Sequence, residues 1–508
     1  MRASGILCPI SSLPSKYGIG CFSIEAYEFI EFLHRAGQTY WQVLPFGPTG
    51  FGDSPYQSFS TFAGNPYFIS PDGLIEDGLL TEEECRQFDF GSDPEFVDYG
   101  KLYENRFKLL AIANERFQKD AAEDKAYQAF LKENADWLDD YCLFMVLKQK
   151  NEGKSWIEWE PEYRNRKKAA LNKAREELKA EYEFFCFQQY EFHRQWKRLH
   201  TYAKEHQVQL IGDIPIYVAF DSADTWSHPE LFLFNDEHEP EDVAGCPPDG
   251  FSPTGQLWGN PLYDWAYHKK TGYKWWIRRM EHTYSFYDVI RVDHFRGFDE
   301  YYAIPYGEET AVNGEWRKGP GMDLFNAIRK ALGDAHIIAE DLGYITPGVR
   351  KLLKDSGFPG MKVLQFAFDG NEDSDYLPHN IIPNSVVYTG THDNETTRGW
   401  IDSRNDHDRD YARRYINSIF TDYGQFTWDF IRTAQRSVAD TCIIPIQDYL
   451  VVDNRGRINH PATQGENWKW RIVPNLLSED LCRAIYDMTK LYHRLPAEEK
   501  KEEDTEKE

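Results

Sequence analysis

The stretch Tyr287-Asp288-Val289-Ile290-Arg291-Val292-Asp293-His294-Phe295 runs from β-branched and aliphatic residues into a carboxylate flanked by an arginine and a histidine. Two other stretches repeat the arrangement: Ala335-His336-Ile337-Ile338-Ala339-Glu340-Asp341-Leu342-Gly343, and Ser385-Val386-Val387-Tyr388 leading to Thr391-His392-Asp393-Asn394-Glu395. Short apolar runs of this length and β-branched content predict strands buried on both faces. In a barrel of parallel strands the active site is assembled at the carboxyl ends of several strands, so an acid just after each run predicts chemistry.

Working outward gives eight candidate strands: Gly5 to Ile10, Thr39 to Pro45, Val208 to Val218, Tyr287 to Asp293, His336 to Asp341, Met361 to Phe368, Ser385 to Asp393, and Thr441 to Tyr449. Eight is the number that closes a (β/α)8 TIM barrel. Segments with helical periodicity lie between several of them, among them Glu25 to Leu33, Asp323 to Leu332 and Val349 to Leu353. Alternating strand and helix predict a parallel α/β sheet. We therefore expect one catalytic barrel over residues 1–496, carrying inserted, mainly helical subdomains. The interval 46–207 is too long for a strand–helix connection and reads as a helical insertion; 220–267, rich in Pro, Gly and aromatics, reads as active-site loops. The last residues, 497–508, are almost wholly Glu, Asp and Lys and are expected to be a disordered acidic tail.

A formal charge of −26 over 508 residues repels phosphate backbones and anionic lipid, so neither nucleic acid nor membrane is an expected partner. No apolar run approaches the ~20 residues that span a bilayer, and a soluble, cytoplasmic protein is expected. The eight cysteines are scattered without a Cys-x-x-Cys pair, which speaks against a zinc site or a disulfide framework. Aromatic residues make up 16% of the chain, with 15 Trp and 31 Tyr. Much of this is core packing, but flat apolar faces with a polar handle also suit sugar rings.

Side chains alternate along a strand, so Arg291 and Asp293 should point the same way, as should Ile338 and Glu340, and Thr391 and Asp393. Two carboxylates flanking a bond can divide glycoside cleavage between a nucleophile or base and a general acid. Asp293, beside Arg291, would have its ionised form favoured and suits the nucleophile. Glu340, after an apolar run, would be desolvated and suits the acid that later becomes the base. Asp393 remains to orient sugar hydroxyls and stabilise an oxocarbenium-like transition state, with His294, His392 and Asn394 as hydrogen-bonding neighbours. A lone acid of this kind is commonly a helix cap or a surface ion-pair partner; three at strand ends outweigh that reading. Metal-dependent barrels usually open with His-x-His after the first strand, where this chain has Cys8-Pro9-Ile10-Ser11-Ser12, and no metal is expected. The eighth strand likewise lacks a glycine-rich anion loop.

Arg-Val-Asp-His-Phe at 291–295, Ala-Glu-Asp-Leu-Gly at 339–343, Thr-His-Asp-Asn at 391–394 and Gly-Asp-Ile-Pro-Ile-Tyr-Val at 212–218 resemble the four signature regions of the 4-α-glucanotransferases, the amylomaltases of the α-amylase clan. Further matches are Trp41 to Pro45, Gly52 to Ser58, Phe251-Ser252, Gly255 to Tyr263 and Asn467 to Arg471, spanning nearly the whole chain. One departure is Arg457-Ile458-Asn459-His460-Pro461-Ala462-Thr463, where the family usually has Met-Asn-x-Pro-Gly-Thr, so Ala462 replaces a glycine.

The resemblance implies a retaining glucanotransferase without a cofactor, acting on α-1,4-glucans such as maltodextrins, amylose and the outer chains of starch or glycogen, with glucose as an acceptor. Asp293 would attack the anomeric carbon, Glu340 would serve as acid and then base, and Asp393 would stabilise the transition state. Arg291, Asp213, His294 and His392 would grip the sugar, Tyr56 and Trp258 would stack on glucose rings, and Asn394, Ser58 and Asp249 complete the expected binding set. The loop from Cys246 to Pro261 would close over the groove and limit water. Retention implies Asp293 and Glu340 carboxyls roughly 5 to 5.5 Å apart. The rival expectations are an α-glucan hydrolase of the same clan and an inactive glucan-binding protein.

Overall fold

A computed structural model describes residues 2–50, 52–248, 252–343, 345–463 and 465–497. The acidic tail beyond residue 497 and the predicted site residue Asp249 lie outside the described residues. The described residues form twelve strands: β1 Ala3–Leu7, β2 Tyr40–Gln42, β3 Gln209–Ile214, β4 Asp242–Cys246, β5 Gln256–Pro261, β6 Val289–Val292, β7 Glu300–Pro305, β8 Glu315–Lys318, β9 Ile337–Ala339, β10 Gly360–Val363, β11 Ser385–Tyr388 and β12 Thr441–Pro445. Eight close into a barrel in the order β1-β12-β11-β10-β9-β6-β3-β2, so strands adjacent in the barrel follow one another along the chain. Every pairing in the barrel is parallel.

Each of the eight expected stretches overlaps one barrel strand, but the strands stop short of the expected carboxyl end, and β1 and β10 begin before the expected start. Proline explains several of these stops, because it has no N–H to give to a ladder: Pro9 follows β1, Pro215 follows β3, and Pro445 ends β12, after which Ile446–Tyr449 turns into a helix. The barrel is filled by Leu7, Ile211, Ile338, Met361, Val363, Val386, Tyr388 and Ile443, a solid plug of inward-facing side chains. Ile290 and Val292 face the other way, into the packing between barrel and helices. That alternation leaves Arg291 pointing inward, immediately above the plug.

Between β2 and β3 the chain forms a series of helices that ends in the long helix Lys179–Glu205. This helix serves two cores. Its Phe185, Cys186 and Tyr190 pack with Tyr141, Cys142 and Phe144 of the helical insertion, while Phe192, Trp196 and Leu199 pack with Trp41 and Leu210 of the barrel strands and Phe286 of the helix Lys274–Phe286. The segment 220–267, expected as loops, also carries strands: β4 and β5 form an antiparallel hairpin, and β7 and β8 extend it to a four-stranded sheet in the order β5-β4-β7-β8. The connection from β10 to β11 contains only the short 3-10 turn Leu364–Phe366 where a barrel helix is ordinarily found. Among the described residues, no helix is long and apolar enough to cross a membrane.

Candidate active site

The barrel mouth is organised around a buried arginine. Arg291 Nη1 donates to both carboxylate oxygens of Asp213, at 2.7 and 2.6 Å, and its Nη2 lies 3.1 Å from Asp293 Oδ1. Side-chain exposure falls from 29% at Asp293 to 3% at Arg291 and 0% at Asp213, so the row runs from the cleft into the protein. Asp213 therefore does not line the cleft with the sugar-gripping set expected for it. It fixes Arg291, which fixes Asp293. Strand parity puts all three on one side, since Asp213 pairs with Arg291 across β3 and β6 and Asp293 follows two residues later.

Glu340 follows β9, the next strand round, and is held by main-chain donors. His294 N–H donates to Oε2 at 2.7 Å and Leu342 N–H to Oε1 at 2.8 Å. The ladder also continues past the strands, with Glu340 N–H to Val292 O at 3.1 Å and Phe295 N–H to Glu340 O at 3.0 Å, so the two acids share one backbone frame. His294 adopts a left-handed φ of 51°, which turns the chain sharply after Asp293 and aims its N–H at Glu340. Behind Glu340, Asp341 accepts from Met361 N–H at 2.6 Å. This contact requires glycine at 360, where a Cβ would come within 2.7 Å of the Asp341 carboxylate.

Burial, reinforced by the negative charge of Asp293, pushes Glu340 up to about 7. Burial also pushes Asp293 up, to about 6, against the pull of Arg291. The sequence reading weighed the guanidinium and left out burial, and so expected the opposite direction for Asp293. At both acids burial is the largest cause, and the guanidinium of Arg291 opposes it. Asp293 keeps part of its surface hydrated, and Glu340 is held toward its protonated form by burial and by the charge of Asp293.

Asp393 is placed differently. β11 ends at Tyr388, so strand alternation does not govern Thr391 and Asp393. A turn does: Asn394 Oδ1 accepts from Thr391 N–H and Oγ1–H, both at 2.9 Å, and Asp393 N–H reaches Thr391 Oγ1 at 3.3 Å. The Asn394 oxygen is spent on this turn. Burial of Asp393 works against ionisation, but His392 at 3.3 Å and the Asn459 Nδ2–H bond at 2.6 Å outweigh it and hold this carboxyl below the usual range. His392 is raised in return: burial opposes its charge, and Asp393 overcomes that opposition.

The remaining predicted residues divide in two. Trp258, on β5, meets the His294 ring edge-on at 4.8 Å and stands beside the acids. Burial drives His294 down to about 3, keeping it neutral, and its Nε2 has no partner within the protein. Tyr56 lies flat against His392, with ring centroids 5.2 Å apart, and donates its hydroxyl to Asp213 Oδ2 at 2.9 Å. The same hydroxyl also meets His392 Nε2 at 2.9 Å, so Tyr56 ties His392 to Asp213. Ser58 donates to the carbonyls of Pro48 and Ser60, at 2.9 and 2.8 Å, and so shapes the loop beside Tyr56.

Three residues that sequence reasoning did not select complete the site. Asn459 holds the Asp393 carboxylate, Arg457 holds its carbonyl at 2.8 Å, and Trp468 packs 5.9 Å from Tyr56 and 6.1 Å from His392. Their signal lay in two stretches, 457–463, which departs from the family pattern, and 467–471, which matches it. Ala462, the residue replacing glycine there, has a φ of 62° and is exposed. A left-handed conformation costs an L-residue roughly 1–2 kcal/mol, partly offset by the extra unfolded-state entropy that glycine brings. Ala462→Gly is expected to stabilise the protein by up to about 1 kcal/mol, read as a small rise in the thermal midpoint; a fall would show that this turn is not strained.

The sequence profile described as 4-alpha-glucanotransferase matches residues 8–476. A 4-alpha-glucanotransferase of Clostridium butyricum is 48% identical over 487 residues, 96% of this chain and 99% of that one. The 4-alpha-glucanotransferase of Thermus thermophilus is 44% identical over 505 residues, covering 97% and 99%. Among solved structures, amylomaltase from Streptococcus agalactiae in complex with acarbose superposes with a TM-score of 0.95 at 40% identity, over 98% of this chain and 100% of that one. With a paired acid set at the mouth of a closed eight-stranded barrel and these relatives over nearly its whole length, the chain belongs to the 4-alpha-glucanotransferase family.

Proposed function

We propose that the barrel mouth transfers an α-1,4-glucan segment from a donor maltodextrin to the 4-hydroxyl of an acceptor glucan or glucose, with retention of configuration. The observation that carries this reading is the shared frame of Asp293 and Glu340, in which the first carboxyl is oriented by Arg291 and the second, of higher pKa, by two backbone N–H groups. Asp293 attacks the anomeric carbon while protonated Glu340 gives its proton to the departing 4-oxygen. The glucanyl–Asp293 ester is then opened by an acceptor 4-hydroxyl, whose proton Glu340 takes back. Asp393, kept ionised by His392 and Asn459, faces the positive charge that develops on the ring in both steps. Trp258 and His294 form the apolar edge of the cleft, where a sugar ring finds a flat partner. The β4–β5 hairpin that carries Trp258 is the covering element, and it lowers access of water to the ester.

Maltotriose as sole substrate tests the reading. Each transfer breaks one glycosidic bond and forms another, so a ladder of longer maltodextrins plus glucose with constant reducing ends is expected. Rising reducing ends without longer products would make the protein a hydrolase, and no change would make it a binding protein. The pH profile follows from the two acids. Formation of the ester needs Glu340 protonated and Asp293 ionised, so its rate is expected to fall as pH rises through about 7, where Glu340 loses its proton, and as pH falls through about 6, where Asp293 gains one. A single-turnover rate flat from pH 5 to 9 would contradict these roles.

A further inference from the structure

Arg457 makes no ion pair with a catalytic carboxylate, although it feels the charge of Asp393, and it holds the main chain at that residue. Its Nη2 donates to the Asp393 carbonyl at 2.8 Å and its Nε to the Asn459 carbonyl at 2.8 Å. Asn459 in turn donates Nδ2–H to Asp393 Oδ1 at 2.6 Å and its own N–H to the His392 carbonyl at 3.0 Å. Residues 457 and 459 thus grip 392 and 393 at backbone and side chain together.

This grip matters because Asp393 lies beyond the barrel ladder. Asp293 and Glu340 inherit their positions from β6 and β9, whereas β11 ends five residues before Asp393. The turn closed by Asn394 shapes the intervening loop but does not anchor it to the rest of the mouth. The guanidinium supplies that anchor, since one planar group with several fixed donors can bridge two carbonyls, and bonds from an ionised donor are roughly twice as strong as neutral ones. The segment is itself tied down further along: Trp468 N–H donates to Ile458 O at 2.7 Å, Tyr99 O–H donates to Trp468 O at 2.8 Å, and Phe96 bridges to Trp470.

We infer that Arg457 is a positioning residue for the transition-state carboxylate, fixing the Asp393 peptide so that Asn459 and His392 can orient its side chain toward the sugar. The inference rests on the role assigned to Asp393 above. It makes the chain after β12 a clamp on the reaction centre.

The test is Arg457→Ala and Arg457→Lys in the full chain, assayed on maltotriose and on α-maltosyl fluoride, whose good leaving group keeps slow variants measurable. A misplacement of about 1 Å costs on the order of 100-fold in rate, so kcat is expected to fall 30- to 100-fold in Arg457→Ala, with KM changed less than about threefold. Arg457→Lys should lie between, and millimolar methylguanidinium should restore part of the Arg457→Ala rate while urea does not. In an Asp393→Asn background, Arg457→Ala should cost less than about threefold, because the group it positions is already disabled. A full additional loss in that background, or a loss in Arg457→Ala that tracks thermal stability and that methylguanidinium does not repair, would overturn the inference. Should Arg457→Ala fail to fold, Arg457→Lys decides: a kcat equal to wild type overturns the inference, and a lowered kcat at unchanged KM supports it. If Asp393→Asn alone keeps nearly full activity, the role of Asp393 fails first, and the inference with it.

Discussion

Asp293→Asn is expected to lower turnover on maltotriose by 10⁴- to 10⁶-fold, the order seen when a covalent nucleophile is removed, with maltodextrin affinity nearly unchanged. The amide fills the same space and can still accept a hydrogen bond from Arg291, so the cleft keeps its shape, but it has no anionic lone pair to attack the anomeric carbon. Arg291 keeps its bidentate bond to Asp213, and no buried charge is left unpaired. Initial rates together with calorimetric titration of a maltodextrin would separate the two effects. Activity within tenfold of wild type would remove Asp293 from the nucleophile's place, and lost affinity would make it a binding group. The same variant also carries a stability signature. Asp293 is pushed up to about 6 by burial, so its protonated form is favoured in the folded state and its contribution to stability is lost as pH rises through that value. Asn cannot ionise. Above pH 6 the variant should therefore melt at or above the wild-type midpoint, as expected where function holds a group in a costly state.

Asp213→Ala is expected to be the most damaging change outside the three acids. Arg291 would keep its charge at 3% exposure with only Asp293 to meet it, and breaking a buried ion pair from one side typically costs about 3–5 kcal/mol. The Tyr56 hydroxyl would lose one of its two partners in the same step, keeping His392 Nε2 at 2.9 Å. A drop of several degrees in thermal midpoint should accompany a fall in kcat of about 100-fold, because Arg291 would no longer be held where it orients Asp293. Asp213→Asn keeps an acceptor for the guanidinium and should recover part of both. A variant that melts like wild type would show the pair to be dispensable, and unchanged kcat in a destabilised variant would confine Asp213 to folding.

The two halves of the site differed in how far they could be read from residues alone. Arg291, Asp293 and Glu340 were readable because a strand imposes a period of two, and the identity of Ile290, Val292, Ile337 and Ala339 as wall residues leaves the alternate positions to the mouth. For Asp393 strand alternation is the wrong geometry, since the strand before it has already ended and a turn presents it. The burial that raises Asp293 was invisible for a similar reason. A sequence shows which charge is adjacent, whereas how much water is excluded depends on what the rest of the fold packs overhead.

By itself the sequence determined the class of fold, eight strands of a parallel barrel, and offered acids at strand ends as candidates, because both follow from local rules: apolar runs, their period, and what stands at their ends. Tertiary structure alone decided the division of labour around those acids. Asp213 became the brace of Arg291 instead of a sugar ligand, the oxygen of Asn394 went into a turn, and Arg457 and Asn459 were brought to Asp393 from more than sixty residues away. Contacts of that separation are set by barrel closure, which puts the loops after β11 and β12 side by side. No property of Arg457 or its neighbours in the chain announces the carbonyl it will hold.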